Sequence, residues 1–172
     1  MEKLRRISTE IQINASKAKL WDALFTRFGE TYLFNPNLDG SHHSGGDVGE
    51  VGCERVCQLD SRTTVKEKII EADELNRFKI EIIGGNMPML KTMLAEIKLQ
   101  TIDEENTRVI LDAGFNTKPG FMGFLMKSPF KKKLTDMLIG LKYYMETGKP
   151  VSKKTYKPIF KSYQKLELSQ SF

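Results

Sequence analysis

The strongest constraint on this chain is a long amphipathic stretch near its end, residues 118–146, KPGFMGFLMKSPFKKKLTDMLIGLKYYME. Phe130, Leu134, Met137, Leu138, Leu141 and Met145 recur at spacings of three and four, which draws one continuous apolar stripe on a helix. Lys131, Lys132, Asp136 and Lys142 fall on the other side. Ser128-Pro129 reads as a cap and first helical residue, so the stretch is one long helix or two collinear ones broken near Pro129. Gly148-Lys149-Pro150 is a stop signal. A stripe of that length must close on an apolar surface, and the upstream sequence offers strands.

Ile7, Thr9, Ile11 and Ile13 alternate with Ser8, Glu10, Gln12 and Asn14, the pattern of a half-buried strand. Asn14 or Ser16 then caps a helix over residues 17–26, with Leu20, Trp21, Leu24 and Phe25 on its apolar side. A second short helix or an irregular segment, 28–34, ends at the turn cluster Asn35-Pro36-Asn37. Strands follow at 38–44, 53–59, 63–71, 77–83, 92–102 and 107–116, joined by short polar connections, which predicts an antiparallel meander. The fold class is α+β: a strongly curved antiparallel sheet of about seven strands wrapped round a long C-terminal helix, with two short helices after the first strand. Residues 1–148 form the domain and 149–172 a basic, aromatic tail.

Charge is informative through its placement. The 172 residues carry a formal charge of +5, and residues 148–172 hold six lysines and one glutamate, so the body of the chain is neutral. A nucleic-acid-binding domain would show its basic face on the body, so no nucleic-acid partner is expected. Cys53 and Cys57 stand four apart on a strand, about 13 Å along it and beyond disulfide reach. They are expected as buried thiols of a reducing compartment. Residues 1–9 are polar with two arginines and no run of ~20 apolar residues exists, so the expected location is cytoplasmic.

Several local strings and their order resemble the helix-grip superfamily, also called START-like, Bet v 1-like, SRPBCC or polyketide cyclase/dehydrase-like. IQINASKAKLWDALF is similar to its first strand and Trp-bearing helix. VGCERVCQLDSRTTVKEKIIEADELNRFKIEIIGGNMPM resembles the central strands of plant abscisic-acid receptors and their relatives, and GFMGFLMKSPFKKKLTDMLIGLKYYME the gripping helix. The resemblance spans nearly all of residues 7–147. It implies a hydrophobic cavity between sheet and helix, with ligands that differ widely and enzymes among the members. It also implies that a glutamate at the position of Glu67 contacts ligand. The gating loop of the receptors is absent, since Asp60-Ser61-Arg62 is a bare turn.

Strand alternation assigns the inward faces. Phe78, Ile80 and Ile82 share one face of their strand; Met93, Ala95 and Ile97 one face of the next; Leu111 and Phe115 one face of the last. Val65 and Ile69 point inward with Glu67 between them, and an inward Cys57 brings Arg55 with it. Two charges facing a core on neighbouring strands are either polar anchors for a mostly apolar ligand or a structural ion pair. Leu134, Met137, Leu138 and Leu141 would close the cavity from the helix. Met87, Met122 and Leu125 would stand at its mouth, where flexible thioethers suit varied ligands.

His42-His43 cannot both reach one metal from adjacent strand positions, and no set of ligands stands at metal spacing, so no metal and no cofactor are expected. Gly45-Gly46 and Gly84-Gly85 lack the features of a phosphate cradle. In the tail, Tyr156, Ile159, Phe160, Tyr163 and Leu166 interleave with lysines, and a short helix is expected from Pro158. It either packs on its own domain or touches an anionic membrane surface. The leading expectation is a non-enzymatic carrier or sensor of a small hydrophobic molecule such as a lipid, isoprenoid or polyketide-like compound, acting as a monomer or weak homodimer. The alternatives are a metal-free cyclase/aromatase- or hydrolase-like enzyme using Glu67 or a cavity histidine, and a co-chaperone-like interaction module.

Overall fold

A computed structural model describes residues 4–170; residues 1–3 of the polar opening and 171–172 of the tail lie outside the described residues. The chain runs β1 (Arg5–Ile13), α1 (Lys17–Trp21), a π-helical turn (Asp22–Thr26), a 3-10 segment (Phe28–Leu33), then β2 (Gly40–Gly45), β3 (Glu54–Gln58), β4 (Thr64–Asp73), β5 (Arg77–Gly85), β6 (Leu90–Thr101) and β7 (Thr107–Thr117). Two helices follow, α2 (Met122–Thr147) and α3 (Lys153–Gln170). The strands form one antiparallel sheet in the order β1-β7-β6-β5-β4-β3-β2. All consecutive strands from β2 to β7 pair as hairpins, while β1 pairs with β7 across the chain, Ile7 facing Ala113.

Every second residue of β7 is buried, from Thr107 to Thr117, because one face of the sheet meets α2 and the other meets solvent. Bulges in β4 against β5, at Lys66/Glu67 and Ile69/Glu71, add the local twist that curves the sheet. α2 lies along β1: the Thr9 and Thr135 hydroxyls are 2.9 Å apart, and Lys142 Nζ donates to the Gln12 carbonyl. Its stripe residues Phe130, Met137, Leu138 and Leu141 are buried, Leu134 and Met145 are half-buried against the core, and Ile139, outside the stripe, is buried as well.

Ser16 caps α1, its side chain accepting from Lys19 N. Gly148 ends α2 in the left-handed conformation, φ 71°, as its place after the last periodic residue implies. Pro129 does not break α2. It sits inside one continuous helix on an exposed side, where the carbonyl that its missing N–H leaves unbonded, on Leu125, belongs to an exposed residue and can take water. Ser128-Pro129 is therefore not a helix start. Gly140 has a different task. A Cβ there would overlap the Phe34 carbonyl, so only glycine lets the 34–37 turn seat directly on α2.

α3 begins five residues before Pro158, because Ser152 and Thr155 cap it reciprocally: Ser152 N donates to Thr155 Oγ1 at 2.9 Å and Thr155 N to Ser152 Oγ at 3.4 Å. Its apolar residues Tyr156, Ile159, Phe160 and Tyr163 pack on the core of the domain. Val151 is buried just before it, and its N–H donates to the Leu33 carbonyl. Among the described residues no helix is long and apolar enough to cross a membrane.

Candidate functional site

The space under the sheet divides into a solid half and a hollow one. Beside β5 it is filled by aromatic rings: Trp21 stacks on Phe25 at 4.4 Å between centroids, and both meet Phe78 edge-on at 5.6 and 5.3 Å. Toward β3 and β4 none of these three rings borders the space, and a cavity of about 130 Å³ remains between the sheet, the 35–38 turn and α2. From the expected set it is bordered by Arg55, Cys57, Val65, Glu67, Ile82, Met87, Met93, Leu134 and Met137.

The other expected residues lie elsewhere. Ile69, Phe78, Ile80, Ile97, Leu111, Phe115, Leu138 and Leu141 are buried in the packed core, and Ala95 is half-buried against it. Met122 is half-buried and Leu125 exposed at the start of α2, beyond the cavity. Asn35, Asn37, Leu38, Leu59, Phe130 and Lys133 also border the hollow. Phe130 was visible as a member of the apolar stripe. The asparagines carried only a turn signature. Asn35 Oδ1 accepts from both Asn37 N and Asn37 Nδ2, at 3.0 and 2.9 Å, and the same Nδ2 donates to the Lys133 carbonyl, which fixes the turn against α2 at the rim.

The one charged pair in the wall is Arg55 with Glu67, directly opposite each other in the β3–β4 register. Arg55 Nε donates to Glu67 Oε2 at 2.6 Å, and Nη1 donates to the Phe28 carbonyl at 3.0 Å. The guanidinium also lies 3.9 Å above the Phe28 ring. Arg55 is 8% exposed. Burial by itself would lower its pKa, but the charge of Glu67 and the hydrogen bond outweigh that and hold the guanidinium above its ordinary value. Cys57 Sγ donates a longer contact, 3.6 Å, to the same Glu67 Oε2. Burial, opposed by the Arg55 charge and reinforced by Glu67, pushes the Cys57 thiol up to about 12, so it is protonated at neutral pH.

No histidine joins this wall. His42 and His43 are both exposed on the edge strand β2, and the His43 ring is held by the Gly46 carbonyl at 2.8 Å. A cavity histidine acting as acid or base is thereby corrected: β2 lies at the rim of the sheet, where 42, 43 and 44 all reach solvent. Among the described residues no three His, Cys, Asp or Glu side chains converge as a metal site.

A seven-stranded curved antiparallel sheet gripping one long helix, with a pocket between them, is the helix-grip, Bet v 1-like architecture. Residues 5–146 match the family described as polyketide cyclase / dehydrase and lipid transport, and the chain belongs to that family. Solved structures repeat the fold. Ara h 8.0201 is 18% identical with a TM-score of 0.69, covering 84% of this chain and 99% of its own. A protein from Nitrosospira multiformis is 13% identical with a TM-score of 0.68, covering 84% and 98%. Norcoclaurine synthase from Thalictrum flavum, solved with dopamine and hydroxybenzaldehyde, is 16% identical with a TM-score of 0.59, covering 78% and 83%. No curated protein matches the sequence.

Proposed function

We propose that the protein binds a small hydrophobic molecule in the cavity between β3–β6 and α2, oriented by the Arg55–Glu67 pair. The observation that carries this reading is the contrast within one wall: Val65, Ile82, Met87, Met93, Leu134 and Met137 surround a single charged pair. Both Glu67 contacts land on Oε2, and Arg55 uses Nε and Nη1. Glu67 Oε1 and the Nη2 end of Arg55 are left for a ligand hydroxyl, carbonyl or carboxylate.

Size narrows the ligand. A dry cavity of ~150 Å³ admits benzene, and drug-sized ligands use ~300–1,000 Å³. A space of about 130 Å³ fits a single ring or short branched chain carrying one polar group. A lipid, isoprenoid or polyketide-like compound enters only if the unbranched side chains of Met87, Met93 and Met137 swing aside. Titrating the protein with a graded series of phenols and short-chain alcohols, while following the methyl NMR signals of those three methionines, tests the reading. Saturable shifts are expected, and they should vanish in Leu134→Trp, which fills the space. Unmoved methyls throughout the series would overturn it.

A catalytic reading rests on Glu67 alone: a carboxylate with one unengaged oxygen at an apolar cavity is placed for proton transfer. Glu67→Gln separates the two functions. A binder keeps much of its affinity, whereas an enzyme loses turnover with its fold intact.

A further inference from the structure

The most conspicuous surface outside the cavity is the start of α2. Phe121, Phe124 and Leu125 are 67%, 74% and 60% exposed, and their spacing places them on one side of the first turns. Isolated apolar side chains on a surface need no account, but three large ones together do. None of them borders the cavity. Exposed Met89 is tied to the same end, because Lys118 N donates to its carbonyl at 2.8 Å.

The charge around this patch has one sign. The 23 residues between Asp112 and Asp136 contain five lysines and no carboxylate. Phe124 borders two surface grooves, one shared with Arg5, Arg6 and Lys127, the other with Lys127, Lys131 and Lys132. Asp136, at the far end of the second groove, is already engaged by Lys132 and Tyr156. Lys118, Lys127 and Lys131 are exposed and form no ion pair with another described residue. Aromatic and leucine side chains beside unpaired lysines are the composition that lies in the headgroup boundary of an anionic bilayer. A protein partner would need a carboxylate matched to each lysine; a lipid surface needs only diffuse negative charge.

We propose that the first turns of α2 dock the protein on an anionic lipid surface. Phe121, Phe124 and Leu125 enter the headgroup boundary, and Lys118, Lys127 and Lys131 meet the phosphates. This differs from a membrane contact through the tail, because Tyr156, Ile159, Phe160 and Tyr163 of α3 pack on the domain. It stands whether or not the cavity holds a ligand.

Sedimentation of the full chain with vesicles of phosphatidylcholine alone, or mixed with phosphatidylglycerol, tests it. Binding is expected only to the mixed vesicles and should weaken with added salt. The triple variant Phe121→Ser, Phe124→Ser, Leu125→Ser and the pair Lys127→Glu, Lys131→Glu should each lower affinity about tenfold or more. The pair Lys154→Glu, Lys157→Glu makes the same charge change on α3 and should leave affinity within about twofold. All these positions are exposed, so unchanged thermal unfolding confirms an intact fold. Absence of binding to either vesicle overturns the proposal, as does an equal loss from the α3 pair. A serine variant that turns a concentration-dependent dimer into a monomer, with no vesicle binding by the parent, assigns the patch to contact between copies instead.

Discussion

The Tyr156 hydroxyl donates a 2.7 Å hydrogen bond to Asp136 Oδ1, and this contact fastens the last helix to the long one. Lys132 Nζ holds the other oxygen of the same carboxylate at 2.7 Å. Asp136 is buried, so its two carboxylate oxygens rely on these partners for hydrogen bonds. Hydrogen bonds to charged groups contribute roughly 1.5–3 kcal/mol, and a half-buried tyrosine belongs at the lower end. Tyr156→Phe should therefore lower stability in urea unfolding by about 1.5 kcal/mol. Amide exchange across α3 should accelerate more than across β4–β7. Equal acceleration everywhere would show that α3 does not open on its own.

Removing one partner of the Arg55–Glu67 pair is expected to cost far more than removing both. Arg55→Met leaves a carboxylate facing an apolar wall, a loss of roughly 3–5 kcal/mol. The double change Arg55→Met, Glu67→Leu should recover most of that stability, since a packed apolar pair of similar volume is often neutral. Denaturant unfolding of both singles and the double closes the cycle. Additive losses would mean that the two charges are not coupled.

The Cys57 thiol sets a pH dependence. Its pKa rises on folding from an ordinary 9.0 to about 12, so the unfolded chain releases the proton first as pH increases. Unfolding is therefore favoured progressively between pH 9 and about 12, with no contribution from this group below that window. Cys57→Ala should flatten the fall in melting temperature over that range. The wild-type thiol should resist iodoacetamide at pH 8 until urea is added. Rapid labelling of the folded protein would contradict the burial.

At Gly140 the helix gives up propensity to admit a turn. Alanine favours a helix interior over glycine by about 1 kcal/mol. Here its Cβ would collide with the Phe34 carbonyl, and overpacking of this kind typically costs 1–3 kcal/mol or more. Gly140→Ala should destabilise the protein on balance. It should also shift the amide signals of Asn35 and Asn37, the polar residues at the cavity rim. A stabilised variant would place the turn off the helix.

The strand meander was readable because a sheet with one buried face writes its period into the sequence, as Phe78, Ile80 and Ile82 do. Arg55 and Glu67 stood out as charges on inward positions, and their register makes them a pair. Alternation, however, says only which residues face inward. Whether Phe78 meets a hollow or a ring depends on Trp21 and Phe25, which arrive from more than fifty positions away. Asn35 and Asn37 were hidden for the same reason, since a turn signature does not say what the turn leans on. Pro129 read as a boundary because local rules count its cost to the helix and not the packing of Phe130, Met137, Leu138 and Leu141, whose burial holds α2 continuous through it. Leu125 read as a mouth residue because its periodicity does not reveal where the sheet beneath the helix stops.

The pairing of β1 with β7 has a consequence for how the protein is made. Of the seven described strands β1 leaves the ribosome first, yet it is an edge strand that pairs among them with β7 alone, about a hundred residues later. At roughly 5–20 residues per second, translation leaves Ile7, Ile11 and Ile13 without their strand partner for about 5–20 seconds. The hairpins from β2 to β6 can assemble in that interval from neighbours already synthesised. The strand that starts the fold is therefore the last to be enclosed. Chaperone capture of nascent chains should peak before β7 emerges and subside once it has.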